Sequence, residues 1–248
     1  MSDPVTAPDR LPIVAPSILS ADFANMEAEC KTVLRDDRGG HAGPEGGDWL
    51  HLDVMDGHFV PNLTMGPDLC RALRRSFPDV VLDVHLMIED PHRFVQPFAD
   101  AGADVFCFHI EPALGIYRSK GPVEGPPRYD ARKLADEVRA AGMHPGLAIN
   151  PPTPDEEALA LAEHFDMLLV MSINPGFSGQ SFMPETLDTT RAVRAALRDD
   201  QRLQMDGGVS PANAADVRAA GCDVLVAASA IFGKPADERP GVIKALRG

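Results

Sequence analysis

Short apolar runs alternate with amphipathic stretches about eight times along the chain. The runs are Ile13 to Leu19, Trp49 to Met55, Val80 to Ile88, Val105 to Ile110, Gly146 to Ile149, Met167 to Ile173, Leu203 to Met205 and Val224 to Phe232. Between them, stretches such as Ala21 to Arg35 and Thr186 to Leu197 have the apolar spacing of helices. Strands that alternate with helices form a parallel sheet with right-handed crossovers. Eight such units in 248 residues predict an α/β fold, a single closed (β/α)8 TIM barrel, which commonly uses about 250 residues. An open doubly wound sheet is the structural alternative. Polar residues collect at the C-terminal ends of several different runs, where barrels build their sites, and this favours closure.

Three segments fall outside the rhythm. Residues 1–10 carry acidic residues and prolines and are expected as a flexible N-terminal segment ahead of one catalytic barrel over 11–248. Residues 36–47, rich in glycine, lie between the first helix and the second strand and are expected as a flexible loop on the face away from the site. Residues 115–129, rich in Gly and Pro, follow the fourth strand and should lie on the catalytic face.

Charge and cysteine content narrow the function classes. The net charge of −14, from 23 Lys and Arg against 37 Asp and Glu, opposes nucleic acid and anionic membrane surfaces as partners. It also repels a phosphorylated ligand at long range, so a phosphate site would have to rely on backbone N–H groups. Cys30, Cys70, Cys107 and Cys222 include no CxxC pair and read as free thiols in a reducing cytosol. The N-terminus lacks the basic start and apolar stretch of a signal peptide, and no apolar run approaches the roughly 18 residues of a membrane span. A cytoplasmic protein is expected.

Strand alternation then exposes the candidate chemistry. In His51-Leu-Asp-Val-Met-Asp-Gly57, the side chains of His51, Asp53 and Met55 share one face, as do His85 and Met87 in Leu82-Asp-Val-His-Leu-Met87. Asp206, in Leu203-Gln-Met-Asp-Gly-Gly208, would have to arrive from the opposite side, which is hard in an open sheet and natural in a closed barrel. Two imidazoles and two carboxylates, His51, Asp53, His85 and Asp206, suit one divalent ion such as Zn²⁺, Fe²⁺, Mn²⁺ or Co²⁺. Asp53 and Asp206 could also serve as a catalytic acid/base pair. Carboxylates on opposite faces of a carbon acid can remove one proton and return another, which inverts the stereocentre through an enediolate.

A second constellation follows the late strands: Asn174-Pro-Gly-Phe-Ser-Gly-Gln-Ser181, Gly207-Gly208 and Ala228-Ser229. Barrel enzymes often hold phosphate with the loops after strands seven and eight, where glycine lets the backbone approach closely. Met55, Met87 and Met171 are candidates for an apolar floor. His58 lies beyond its strand and His109 has no visible partner, so neither is assigned a role.

Five segments together resemble the ribulose-phosphate 3-epimerase family: Ala15 to Asp22, His51 to Asn62, Asp83 to Met87, Met171 to Gln180 and Asp206 to Val209. The resemblance implies a homo-oligomeric TIM barrel that interconverts D-ribulose 5-phosphate and D-xylulose 5-phosphate with one divalent ion per subunit. It implies metal ligation by His51, Asp53, His85 and Asp206, and acid/base roles for Asp53 and Asp206. It also implies substrate contacts at Ser17, His85 and Asp206, with Gly176, Phe177, Ser178, Gly179, Gly207, Gly208, Ala228 and Ser229 around the phosphate. Ser178 and Ala228 depart from the glycine common in the family. A 3-epimerase of a related ketose phosphate such as D-allulose 6-phosphate would use the same parts, and a non-catalytic sugar-phosphate-binding barrel is the alternative from another class. Decarboxylases and synthases of the orotidine-phosphate and hexulose-phosphate type carry a lysine in an Asp-x-Lys-x-x-Asp motif, and Asp53-Val-Met-Asp56 has none.

Overall fold

The computed structural model describes residues 3–117 and 123–248. Among them run the parallel strands β1 (Ile13–Pro16), β2 (Trp49–Met55), β3 (Val81–Met87), β4 (Val105–His109), β5 (His144–Ile149), β6 (Met167–Met171), β7 (Arg202–Asp206) and β8 (Val224–Ala227). Seven ladders join them in the order β1-β8-β7-β6-β5-β4-β3-β2. Closure between β1 and β2 comes from a parallel bridge, Ser17 to His51, and from the Asp48 N–H donating to the Val14 carbonyl at 2.9 Å. The outer ring is α1 (Met26–Lys31), α2 (Pro67–Ser76), α3 (Val95–Ala101), α4 (Ala131–Ala140), α5 (Asp155–Leu159), α6 (Thr186–Ala196), α7 (Ala214–Ala219), α8 (Ser229–Phe232) and α9 (Arg239–Arg247). None of these helices is long and apolar enough to cross a membrane.

Strand residues are buried on both faces, as a parallel sheet under helices requires. Leu50, Leu82, Phe106, Phe108 and Leu168 point outward and pack with Phe77, Phe98, Leu134 and Ile243. Ile13, Trp49, Val81, Val105, Met167 and Val224 point inward and fill the barrel's N-terminal half. Register puts His51 opposite Asp83, Asp53 opposite His85 and Met55 opposite Met87. The polar layer therefore lies above the apolar plug, toward the C-terminal ends of the strands.

Each expected run overlaps one strand of the sheet, but the first and the eighth strands end early: Ile18–Ser20 is a 3-10 turn and Ser229–Phe232 is α8, so the ladder between β1 and β8 stops at Pro16 and Ala227. Two further expectations need correction. Residues 3–10 are not a free lead-in: Val5 is fully buried in the inward-facing cluster and Asp3 Oδ1 accepts the Val5 N–H at 2.8 Å. An apolar side chain under the barrel opening, which composition does not reveal, fixes this segment. Residues 36–47 do lie at the N-terminal ends of the strands, but as two pinned 3-10 turns. Arg10 donates to the Pro44 and Gly46 carbonyls and Arg247 to those of Glu45 and Gly46, while both guanidinium groups also reach Asp48. The segment 115–129 follows β4 on the opposite face, where Arg128 pairs with Glu89 at 3.1 Å and covers the Tyr117 ring; residues 118–122 lie outside the described residues.

All four cysteines are free and buried, and burial pushes the Cys30 and Cys70 thiols up to about 12. They are packing residues and poor nucleophiles.

His144 ties three segments together at the N-terminal face. Its Nδ1 meets Asp166 Oδ2 at 2.7 Å and its Nε2 meets Asp3 Oδ2 at 3.1 Å. Burial opposes its protonation, but the hydrogen bond to Asp166 and the charge of Asp3 prevail and raise its pKa. A raised folded value means a stabilising contribution that is complete below the ordinary imidazole pKa of about 6.5 and lost as pH climbs through the folded value. His144→Gln should therefore lower the unfolding free energy in urea by about 1 kcal/mol at pH 6 and by much less at pH 9.

Candidate active site

Strands β2, β3 and β7 deliver His51, Asp53, His85 and Asp206 to one place inside the closed barrel. Four potential ligand atoms, one from each residue, lie within 4.8 Å of one another. His51 Nε2 is 3.3 Å from Asp53 Oδ1 and 3.7 Å from Asp206 Oδ2. His85 Nδ1 is 3.1 Å from the same Asp53 oxygen and 3.4 Å from the same Asp206 oxygen. Both imidazoles are fully buried, and the Asp53 side chain nearly so, while that of Asp206 is more open to the cleft.

The electrostatics of this group are dominated by burial and mutual charge. Burial opposes protonation of His51, yet the Asp83 and Asp53 carboxylates outweigh it and raise its pKa well above normal. His85 is raised likewise, against burial, by hydrogen bonds to Asp206 and Asp53. Burial alone would raise Asp53, but the two imidazoles hold it far below the carboxylate range. The carboxylates thus favour positive charge at the centre of the cluster.

A divalent ion fits this cluster. His51 Nδ1 is engaged by Asp83 Oδ2 at 2.7 Å, which leaves His51 Nε2 buried, without a hydrogen-bond partner and directed at the two carboxylates. Imidazole nitrogen and carboxylate oxygen are the donors that Zn²⁺, Fe²⁺, Mn²⁺ and Co²⁺ accept. A ligating imidazole usually donates its other N–H to a carboxylate, which fixes the tautomer, and the His51–Asp83 pair has that form. Gln204 of β7 in turn donates to Asp83 Oδ2 at 2.6 Å.

Several neighbours escaped the sequence reading. Asp83 shares the inward face of its strand with His85, so alternation could have identified it. His109, left without a role, meets His85 ring to ring, Nε2 to Nε2 at 2.9 Å, and its Nδ1 meets Glu111 Oε2 at 3.0 Å. The spacing His109-x-Glu111 at the end of an apolar run was the available signal. Ser17, expected at the substrate, is fully buried and donates from Oγ to Asp53 Oδ2 at 2.5 Å. Neither Ser17 nor His85 borders the open cleft; both sit behind the carboxylates.

Above the cluster opens a cleft of about 470 Å³, its solvent-open mouth included. Asp53, Asp206 and the three methionines Met55, Met87 and Met171 line its inner part. Gly176 to Gly179, Gly207, Gly208, Ala228 and Ser229 line its other side. The loop after β6 is stapled by Gln180, whose Nε2 donates to the carbonyls of Asn174 and Phe177, and by Asn62, which donates to the Gly176 carbonyl at 3.1 Å. Gly207 has φ of +125°, and a Cβ there would lie 2.6 Å from Ile173 Cγ1 and 2.8 Å from the Ile173 nitrogen. Gly208 has φ of +64°, with the Phe182 nitrogen 2.8 Å from a Cβ position. Ser178 and Ala228, by contrast, have negative φ, so their side chains strain no backbone.

Similarity to known proteins agrees with this arrangement. The model of the ribulose-phosphate 3 epimerase family matches residues 13–232. The "Ribulose-phosphate 3-epimerase, cytoplasmic isoform" of Oryza sativa subsp. japonica is 40% identical over 237 residues, which cover 94% of this chain and 92% of that protein. The ribulose-phosphate 3-epimerase of Serratia marcescens is 42% identical over 226 residues, 90% of this chain and 96% of the relative. Among solved structures, orotidine 5'-phosphate decarboxylase from Pyrococcus horikoshii OT3 superposes with a TM-score of 0.64 at 15% identity, covering 95% of this chain and 100% of that one. At that identity the last likeness speaks for the barrel fold alone. With fold, site geometry and sequence in agreement, the chain belongs to the ribulose-phosphate 3-epimerase family.

Proposed function

We propose that this isomerase interconverts D-ribulose 5-phosphate and D-xylulose 5-phosphate by exchanging the proton at C3, with one divalent ion per subunit. The observation that carries the reading is the convergence of two carboxylates and two imidazoles within 4.8 Å at the bottom of a cleft. His51 through Nε2, His85 through Nδ1, and Asp53 and Asp206 through carboxylate oxygens would hold Zn²⁺, Fe²⁺, Mn²⁺ or Co²⁺. When bound, such an ion stabilises negative charge developing on the substrate oxygens and so acidifies the C3 proton.

The chain's own groups then divide the work. Ser17 fixes Asp53 Oδ2, so that Asp53 presents a defined carboxylate to the cleft. In one direction Asp53 accepts the C3 proton from one face, and the C–H electrons become those of an enediolate. Asp206, protonated at the start of that step, gives a proton to C3 from the other face and ends as a carboxylate. The reverse reaction exchanges the two roles. Met55, Met87 and Met171 make the floor apolar, which limits stray protonation of the intermediate by water.

Phosphate binding falls to backbone N–H groups of Gly176 to Gly179, Gly207, Gly208, Ala228 and Ser229. Such a site suits a chain of net charge −14, because local donors act where the global field is screened. A cytoplasmic location, as in the description of the rice relative, accompanies this reading.

Chelation should abolish conversion of ribulose 5-phosphate, and Zn²⁺, Co²⁺ or Mn²⁺ should restore it, in a coupled assay. Asp206→Asn should remain folded by circular dichroism while its kcat falls by about 10²-fold or more; near-normal turnover would remove Asp206 from the reaction. Faster turnover of D-allulose 6-phosphate than of ribulose 5-phosphate would move the substrate to the six-carbon class. Gly207→Ala should raise KM by about tenfold, or roughly 1.4 kcal/mol of lost binding, through displacement of the loop after β7.

A further inference from the structure

Two ligating histidines are supported differently in this barrel. His51 Nδ1 meets a carboxylate directly, Asp83 at 2.7 Å. On the nitrogen of His85 that faces away from the cluster, a carboxylate is reached only through another imidazole: Nε2 of His85 lies 2.9 Å from Nε2 of His109, and Nδ1 of His109 lies 3.0 Å from Glu111 Oε2. His109 and Glu111 are buried, and the Phe59 ring covers the His109 face at a centroid distance of 5.0 Å. No step of the proposed reaction uses either residue.

We propose that Glu111 and His109 form a positioning relay that sets the tautomer of His85, holding its proton on Nε2 so that Nδ1 keeps a lone pair for the metal. The inference rests on the metal reading above. Its direction follows from hydrogen-bond inventory. Glu111 Oε1 accepts the Asn150 backbone N–H at 2.7 Å and the Thr153 hydroxyl at 2.8 Å. Because the Asn150 N–H can only donate, Oε1 must be an acceptor oxygen; Oε2 of the same carboxylate then accepts the Nδ1 proton of His109. A neutral His109 with its proton on Nδ1 has a lone pair on Nε2. Two lone pairs cannot face each other at 2.9 Å, so the proton between the rings belongs to His85 Nε2. In the neutral His85 that a metal ion requires, Nδ1 then carries the lone pair where Asp53 and Asp206 converge. Without the relay, His85 could carry its proton on Nδ1, donate to Asp53 and block its own ligand position.

Glu111→Gln makes the relay readable, because it changes one atom and preserves shape. The Asn150 N–H still requires an oxygen at the Oε1 position, so the new amide nitrogen must face His109 Nδ1 and donate to it. That donation moves the His109 proton to Nε2 and the His85 proton to Nδ1, reversing the whole chain. A side chain that merely filled space would leave the tautomers alone. The experiment is two-bond ¹H–¹⁵N imidazole NMR on the zinc-loaded wild-type protein and on Glu111→Gln, with zinc affinity from chelator competition and the Co²⁺ absorption spectrum of each. Wild type should show His85 protonated on Nε2 and His109 on Nδ1, while Glu111→Gln should bind zinc about 10- to 100-fold more weakly with an altered Co²⁺ spectrum. His85 protonated on Nδ1 in the zinc-loaded wild type overturns the relay, and this arm needs no variant to fold. Zinc uptake by both proteins with equal affinity and the same His85 tautomer also overturns it, leaving the metal reading intact. Failure of the wild type to take up zinc, Co²⁺ or Mn²⁺ overturns the metal reading itself, and the relay with it.

Discussion

Closure of the barrel is the constraint on which this site depends. His51, Asp53 and His85 come from adjacent strands and would be neighbours in any parallel sheet, but Asp206 belongs to β7. It reaches them because β1 bridges β8 to β2, with Ser17 paired to His51 at the seam. The seam residue also donates to Asp53, so the contact that shuts the barrel orients one of the two carboxylates. Burying such a cluster in an apolar interior is costly unless its charges are paired and its hydrogen bonds made. Three of the four members accordingly have support from outside the cluster: Ser17 for Asp53, Asp83 and Gln204 for His51, and His109 with Glu111 for His85.

The layering along the strands explains why this polar centre does not compromise the fold. Below it the interior is filled by Trp49, Val81, Val105, Met167 and Val224, with Val5 packed beneath. Above it the cleft opens through loops whose glycines hold conformations that side chains resist, Gly207 and Gly208 in particular. Stability and chemistry thus occupy different ends of the same strands, as barrel architecture allows. The likeness to orotidine 5'-phosphate decarboxylase reaches only as far as the fold. What distinguishes this chain is which side chains the strands carry at the polar layer.

Much of that layer was legible in the sequence because strand alternation is a strict code. His51 and Asp53 two residues apart, and His85 in register on the next strand, could be assigned to one face without coordinates. Asp206 followed once closure was assumed. His109 was not legible in the same way, because its contact with His85 runs diagonally between β3 and β4, where His85 pairs with Cys107. Its second partner, Glu111, lies beyond the strand in a 3-10 turn. The stretch Ala21 to Arg35 shows another limit: helical spacing is present, but Asp22 caps a 3-10 turn over Phe23–Asn25 and the α-helix itself is confined to Met26–Lys31. In residues 3–10, composition suggested freedom and tertiary packing of Val5 removed it.

The central claim is that protons enter and leave C3 through two carboxylates on opposite faces of the substrate. It is tested most directly by following ribulose 5-phosphate with the metal-loaded enzyme in D₂O by NMR. The account predicts that xylulose 5-phosphate forms with solvent deuterium at C3 from the first turnover. Xylulose 5-phosphate that retains the original C3 hydrogen, or its absence with folded, metal-loaded protein, would contradict it.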